Sequence, residues 1–74
     1  MTKDELIVRV GEAYGAVYEL GDYALDILTD QPNYFKWLDA GHGDDYLQQQ
    51  DVAELELILE DCERVVMAME DYAL

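Results

Sequence analysis

Basic residues are the scarcest functional type in this chain. Lys3, Arg9, Lys36 and Arg64 stand against eighteen acids, for a net charge of −14. The four lie apart, each among acids, so no basic patch is expected to neutralise phosphates and direct nucleic-acid binding is the least expected reading. Cysteine occurs once, at Cys62, and histidine once, at His42. No disulfide can form within the chain, and the two residues together fall short of the four ligands of a structural zinc site. Long apolar runs are missing too. Val65-Val66-Met67-Ala68-Met69 is among the longest, far short of the roughly 20 residues that cross a bilayer. An anionic membrane surface would repel the charge. The start, Met1-Thr2-Lys3-Asp4-Glu5, is charged and is not followed by an apolar run of signal length. A cytoplasmic protein with reduced Cys62 and no membrane contact is expected.

Catalytic patterns are equally scarce. There is no Gly-rich phosphate loop, no Glu-x-x-His pair and no Ser/His/Asp set. His42 lies between Gly41 and Gly43, beside Asp44 and Asp45, and reads as a solvated loop histidine. Cys62 falls on an apolar helix seam and reads as a buried structural thiol. Close acid pairs such as Glu60-Asp61 are abundant, but the inward helical positions are apolar, and a glycosidase or metal-carboxylate site needs acids directed into a pocket. The chain is therefore expected not to be an enzyme and to hold no cofactor or metal.

What the sequence does have is periodic hydrophobicity. Half of its residues, 51%, are hydrophobic and eight are aromatic, which excludes the disorder that such a charge otherwise suggests. Thr2-Lys3-Asp4-Glu5 is a capping box. Leu6, Val10, Ala13, Val17, Leu20, Ala24 and Ile27 follow at alternating spacings of four and three, with Ile7, Tyr14 and Leu28 flanking them. This predicts a helix from about 3 to 29. Gly21 sits inside it, but the seam keeps phase, so one helix bent there is favoured over two. Pro32 starts a short connector helix to about 40, carrying Tyr34, Phe35, Trp37 and Leu38, and Gly41 is placed to cap it. Asp45 with Gln48 fits a second capping box. Val52, Leu55, Leu59, Cys62, Val66, Met69 and Ala73 repeat the seam, flanked by Ile58, Val65 and Tyr72, which predicts a helix from about 45 to 72.

The expected fold is thus all-α, one domain over residues 1–74: an antiparallel helical hairpin with a short connector helix. Two helices cannot cover apolar faces this wide. The expected remedy is a homodimer forming a four-helix bundle; the alternative is a monomer whose connector folds over one open side.

The charge is uneven. Residues 44–74 carry −9, residues 1–30 carry −5, and residues 31–43 are neutral. Glu5, Glu12, Glu19 and Asp26 recur every seven residues on the first helix, which places them on one outward line. Glu56, Glu60, Glu63 and Glu70 form a second line on the last helix, and Glu54 with Asp61 a third. Few have a base four residues away, and like charges placed together destabilise a helix. Over a helix length of about 45 Å, the net charges of both chains of a dimer would amount to roughly one per 1.6 Å and those of a monomer to roughly one per 3.2 Å, against about 1.7 Å for duplex DNA.

Acidic helices with interspersed tyrosines, in a chain of this size and charge, resemble the small phage proteins that inhibit host defence, the anti-restriction and anti-CRISPR inhibitors. Many of these act as DNA mimics. The resemblance covers the whole chain in composition and rests on no motif. It implies an inhibitor in a bacterial host cell that blocks the nucleic-acid-binding cleft of a nuclease, polymerase or defence complex. The partner-binding residues expected from the acid lines are Glu12, Glu19, Asp26, Glu56, Glu60, Glu63 and Glu70, with Tyr34, Trp37 and Met67 as uncharged anchors. Two alternatives are an immunity protein or antitoxin that neutralises a basic toxin through its aromatics, and an adaptor hairpin whose seam pairs with another chain.

Overall fold

The computed structural model describes the backbone of residues 1–73 and the side chains of residues 1–71, which form five helices and no strand. The first, α1 (Lys3–Leu20), opens on the expected cap: the Glu5 N–H donates to Thr2 Oγ1 at 3.2 Å, and the Thr2 hydroxyl donates to Glu5 Oε1 at 3.1 Å. α1 ends at Gly21, contrary to the expectation of one continuous helix to 29. Gly21 adopts φ 105° and ψ −177°, a conformation open in practice to glycine alone. Its carbonyl accepts from the Leu25 N–H at 3.2 Å and starts α2 (Asp22–Thr29). The break turns the buried face. Leu20, a predicted seam position, is exposed, while Leu28, a predicted flank, is fully buried.

Pro32 opens α3 (Pro32–Asp39) as expected. It closes in a Schellman arrangement. Gly41, at φ 100°, donates its N–H to the Leu38 carbonyl at 3.1 Å, and His42 donates to the Trp37 carbonyl at 2.9 Å.

The predicted helix from 45 to 72 is two helices. α4 (Asp44–Gln49) begins at Gly43 without a side-chain cap, so the Asp45–Gln48 box does not form. Gln50 is extended at φ −85° and ψ 153°, and α5 (Val52–Ala73) starts afresh. Its cap is Asp51, whose Oδ1 accepts from the Glu54 N–H at 2.9 Å. Asp51-Val52-Ala53-Glu54 has the same spacing as the box at Thr2, and Leu47 of α4 turns into the core. Along α5 the buried stripe is Leu55, Ile58, Leu59, Cys62 and Val65. The flank expected at Tyr72 and the seam position expected at Ala73 lie outside the described side chains.

The two long helices are not antiparallel. The Lys3 ammonium donates to the Gln48 carbonyl, at the foot of α5. A 22-residue helix climbs about 33 Å, so an antiparallel α1 would leave Lys3 at the far end. α1 and α5 therefore run in the same direction. The chain returns between them through α3, which runs the opposite way: Asn33 and Tyr34 lie at Asp61, and Lys36 reaches Glu54. The two breaks make this possible, because they allow α2 to cross the upper end and α4 the lower. α2, α3 and α4 thereby cover one open side of the α1–α5 pair, as in the monomeric alternative.

Asp61 fastens α3 in place. Only 1% exposed, its Oδ2 accepts from the backbone N–H groups of Asn33 at 2.9 Å and Tyr34 at 3.1 Å, and its Oδ1 accepts from Arg64 at 3.0 Å. Arg64 also donates to Gln31 Oε1 at 2.6 Å. The outward acid line expected through Glu54 and Asp61 is thus corrected: Asp61 is a buried cap on another helix. Asp61→Ala should lower stability by about 2–3 kcal/mol, because two backbone donors lose a charged acceptor, and Asp61→Asn should cost less. Urea unfolding checks both.

The glycines separate into two kinds. A Cβ at Gly11 or Gly15 would meet nothing within 4 Å, and both are helical. Gly11→Ala and Gly15→Ala should each raise stability by about 0.5–1 kcal/mol. Gly21→Ala, equally free of neighbours, should lower it because of its positive φ. Thermal unfolding of the three variants reads the difference in sign.

Candidate functional site: an acid-banked trough between the long helices

The side of the α1–α5 pair away from α3 is left open. A groove of about 400 Å³ runs there. Ala13 and Ala16 of α1 and Leu59 and Val66 of α5 form its apolar surface, and Arg9, Glu12, Glu63 and Met67 form its rim. Small residues on α1 create the space, since a larger side chain at Ala16 would fill it. Arg9 spans the groove, with Nη2 3.6 Å from Glu63 Oε2. Both side chains are about half exposed, so the pair contributes less than about 1 kcal/mol.

Three of the sequence-predicted residues, Glu12, Glu63 and Met67, meet in this groove. Met67 is 65% exposed, available as an uncharged contact. Glu56, Glu60 and Glu70 are exposed on α5, and Glu19 is exposed near the end of α1. Asp26 is exposed but stands on α2. The break at Gly21 takes it off the α1 line, which ends at Glu19. Tyr34 and Trp37 are corrected more sharply: they are 2% and 4% exposed and belong to the core. The connector residue left outside is Phe35, the member of the aromatic run out of phase with Tyr34 and Trp37. The role of Arg9 and the alanine floor escaped the sequence reading. Their signal was present in the spacing of small residues, Ala13 and Ala16, beside a lone base.

All four bases are engaged within the chain. Lys3 meets Gln48, Arg9 meets Glu63, Lys36 stands 3.9 Å from Glu54, and Arg64 is held by Asp61. Among the described residues Glu12, Glu19, Asp26, Glu56, Glu60 and Glu70 have no ion-pair partner.

On the opposite side, His42 is not the solvated loop residue expected. It adopts φ 60°, and its ring lies 4.3 Å from that of Tyr14 and 4.1 Å from that of Trp37, centre to centre. Its Nε2 is 3.3 Å from the Tyr34 hydroxyl, and the Trp37 indole N–H donates to the Gly43 carbonyl at 3.0 Å. Burial lowers the His42 pKa and raises that of the Tyr34 hydroxyl, to which Tyr14 adds. The Cys62 thiol is fully buried and pushed up to about 12, by burial first and then by Asp61 and Glu63. It is the structural thiol expected. Among the described residues no group of three or more acid, histidine or cysteine side chains is placed to hold a metal, and no helix is long and apolar enough to cross a membrane.

No protein-family model matches the chain, and no curated protein or solved structure matches it either.

The lowered His42 pKa sets a pH dependence. The unfolded chain takes up the proton more readily, so the stability contributed by neutral His42 is present above its ordinary value of 6.5 and is lost as pH falls from there through the lowered folded value. Asparagine tolerates the same backbone. The stability difference between the native protein and His42→Asn should therefore shift in favour of the variant as pH falls from about 7 to about 5, measured by urea unfolding at each pH.

Proposed function

We propose that this protein is a binding protein, not an enzyme, and that it acts as an inhibitor: it occupies the basic nucleic-acid-binding cleft of a nuclease, polymerase or defence complex. The observation that supports this reading is the state of the charges. Every base is engaged within the chain, while Glu12, Glu19, Glu56, Glu60 and Glu70 of the two long helices stand exposed without an ion-pair partner among the described residues. Such an arrangement carries a self-repulsion that folding alone does not call for. The molecule is 36 Å long; its fourteen net charges amount to roughly one per 2.6 Å, between about 1.7 Å for duplex DNA and about 3.4 Å for one strand. A single copy therefore reaches nucleic-acid charge density without the dimer. The toxin-neutralising alternative loses its aromatic anchors, because Tyr34 and Trp37 are buried.

The test is affinity capture from nuclease-treated lysate of a bacterial host, with elution by salt and by added duplex DNA. The expected result is a nucleic-acid enzyme released by both. Glu56→Lys/Glu60→Lys/Glu70→Lys should weaken that capture at least about tenfold and flatten its salt dependence. Its thermal midpoint should be unchanged or higher, since like charges are relieved. Full capture by the triple variant would reject the assignment, as would a partner indifferent to both salt and DNA.

A further inference from the structure

We infer that the trough between α1 and α5 takes one amphipathic helix of the partner, with an apolar stripe and with Lys or Arg repeating at heptad spacing. This rests on the reading of the partner as a basic protein and specifies how it is gripped.

The register of the acids carries the argument. Glu12 and Glu63 line the same groove. Because α1 and α5 run in the same direction, moving one heptad along both helices keeps positions level. Glu5 then stands opposite Glu56, and Glu19 opposite Glu70. All six are glutamates, and each pair is separated by the same offset in sequence. The trough therefore has an acid on each bank at three levels, about 10.5 Å apart. An antiparallel pair would not preserve this match. Between the banks the surface is apolar, with Ala13, Ala16, Leu59 and Val66 below and the exposed Met67 at the edge. Methionine and alanine suit a helix laid into a groove, the first because it adapts its shape and the second because it admits close approach.

Arg9 shows what the trough accepts. Its guanidinium already lies across the groove on Glu63, as an internal counter-ion in the place that a partner's base would take. The pair is half exposed and weak, so displacement is easy. A second copy of this chain is a poor occupant, because it would bring another −14 against these banks. A basic helix is attracted by the same charge, and its apolar stripe covers the floor.

The experiment uses the intact protein and two synthetic peptides of about 18 residues, both composed of Leu and Lys in equal ratio. One is amphipathic with lysines at heptad spacing; the other has the same composition scrambled. The amphipathic peptide should bind at least about tenfold more tightly, with methyl NMR shifts at Ala13, Ala16, Val66 and Met67. Ala16→Trp fills the trough without changing charge and should weaken that peptide at least about fivefold while leaving the scrambled one unaffected. Arg9→Gln removes the internal competitor and should tighten binding about threefold. Circular dichroism confirms that both variants stay folded, and Ala16→Leu serves if the tryptophan does not. Equal binding of the two peptides overturns the trough and leaves the charge-based function standing. No binding of either at low salt overturns both. A dimer of this chain that Ala16→Trp dissociates would give the trough to a second copy and overturn the proposal.

Discussion

The buried carboxylate of Asp61 is the contact on which the arrangement of the helices depends. α3 is two turns long, too short to be stable alone, and its first backbone donors point into the protein. Asp61 accepts two of them, and Arg64 together with Gln31 closes the contact from outside. An ionised group at a helix N-terminus satisfies unpaired N–H groups and complements the helix dipole at once. That fixes where α3 crosses α5. With α3 fixed, Tyr34 and Trp37 fall against Tyr14, and the loop at His42 packs onto the same rings. One of eighteen acids has been turned inward to hold the fold, and this leaves α3, a helix of no net charge, on the side opposite the acid banks.

Local chemistry was legible in the sequence wherever a residue acts on its own neighbours. Thr2, Pro32 and Gly41 occupy the positions their types predict, and Cys62 is buried where the seam places it. What escaped were choices between competing local signals. The seam continues in phase through Gly21, so nothing in its period marks the break; only the positive φ does, and period carries no information about it. Asp45 and Asp51 each offer a cap with an acceptor-bearing residue three positions on, and only Asp51 makes one. Asp61 could not be read as inward because its partner is the start of α3, 27 and 28 residues away in sequence.

The direction of the long helices escaped for a deeper reason. A heptad pattern reads the same whichever way its neighbour runs, so periodicity alone cannot tell parallel from antiparallel. A short connector argues for antiparallel, and that argument holds only while each long helix is continuous. Breaks at Gly21 and Gln50 turn the three expected helices into five, and the segments between the long ones then have enough length to bring the chain back. The acid lines were legible as lines, but how they face one another depends on direction: only parallel helices place Glu5, Glu12 and Glu19 level with Glu56, Glu63 and Glu70.

The same direction polarises the molecule. In an antiparallel pair the helix dipoles oppose one another; in this pair they add, and both C-terminal ends lie together. Neither α1 nor α5 carries a base in its last turn, the place where a base would be most favourable. Glu19 and Glu70 stand there instead, with Asp71 beside them. At the other end the acids Asp4, Glu5 and Glu54 occupy first turns, where the dipole stabilises them, and Lys3 and Arg9 partly neutralise that half. The two dipoles therefore reinforce the charge of Glu19 and Glu70 at one end of the trough and offset that of the first-turn acids at the other. The basic partner proposed above would feel that field as it approaches and would meet Arg9 as it settles along the trough. The orientation that costs the isolated fold stability is the one that gives its charge a direction.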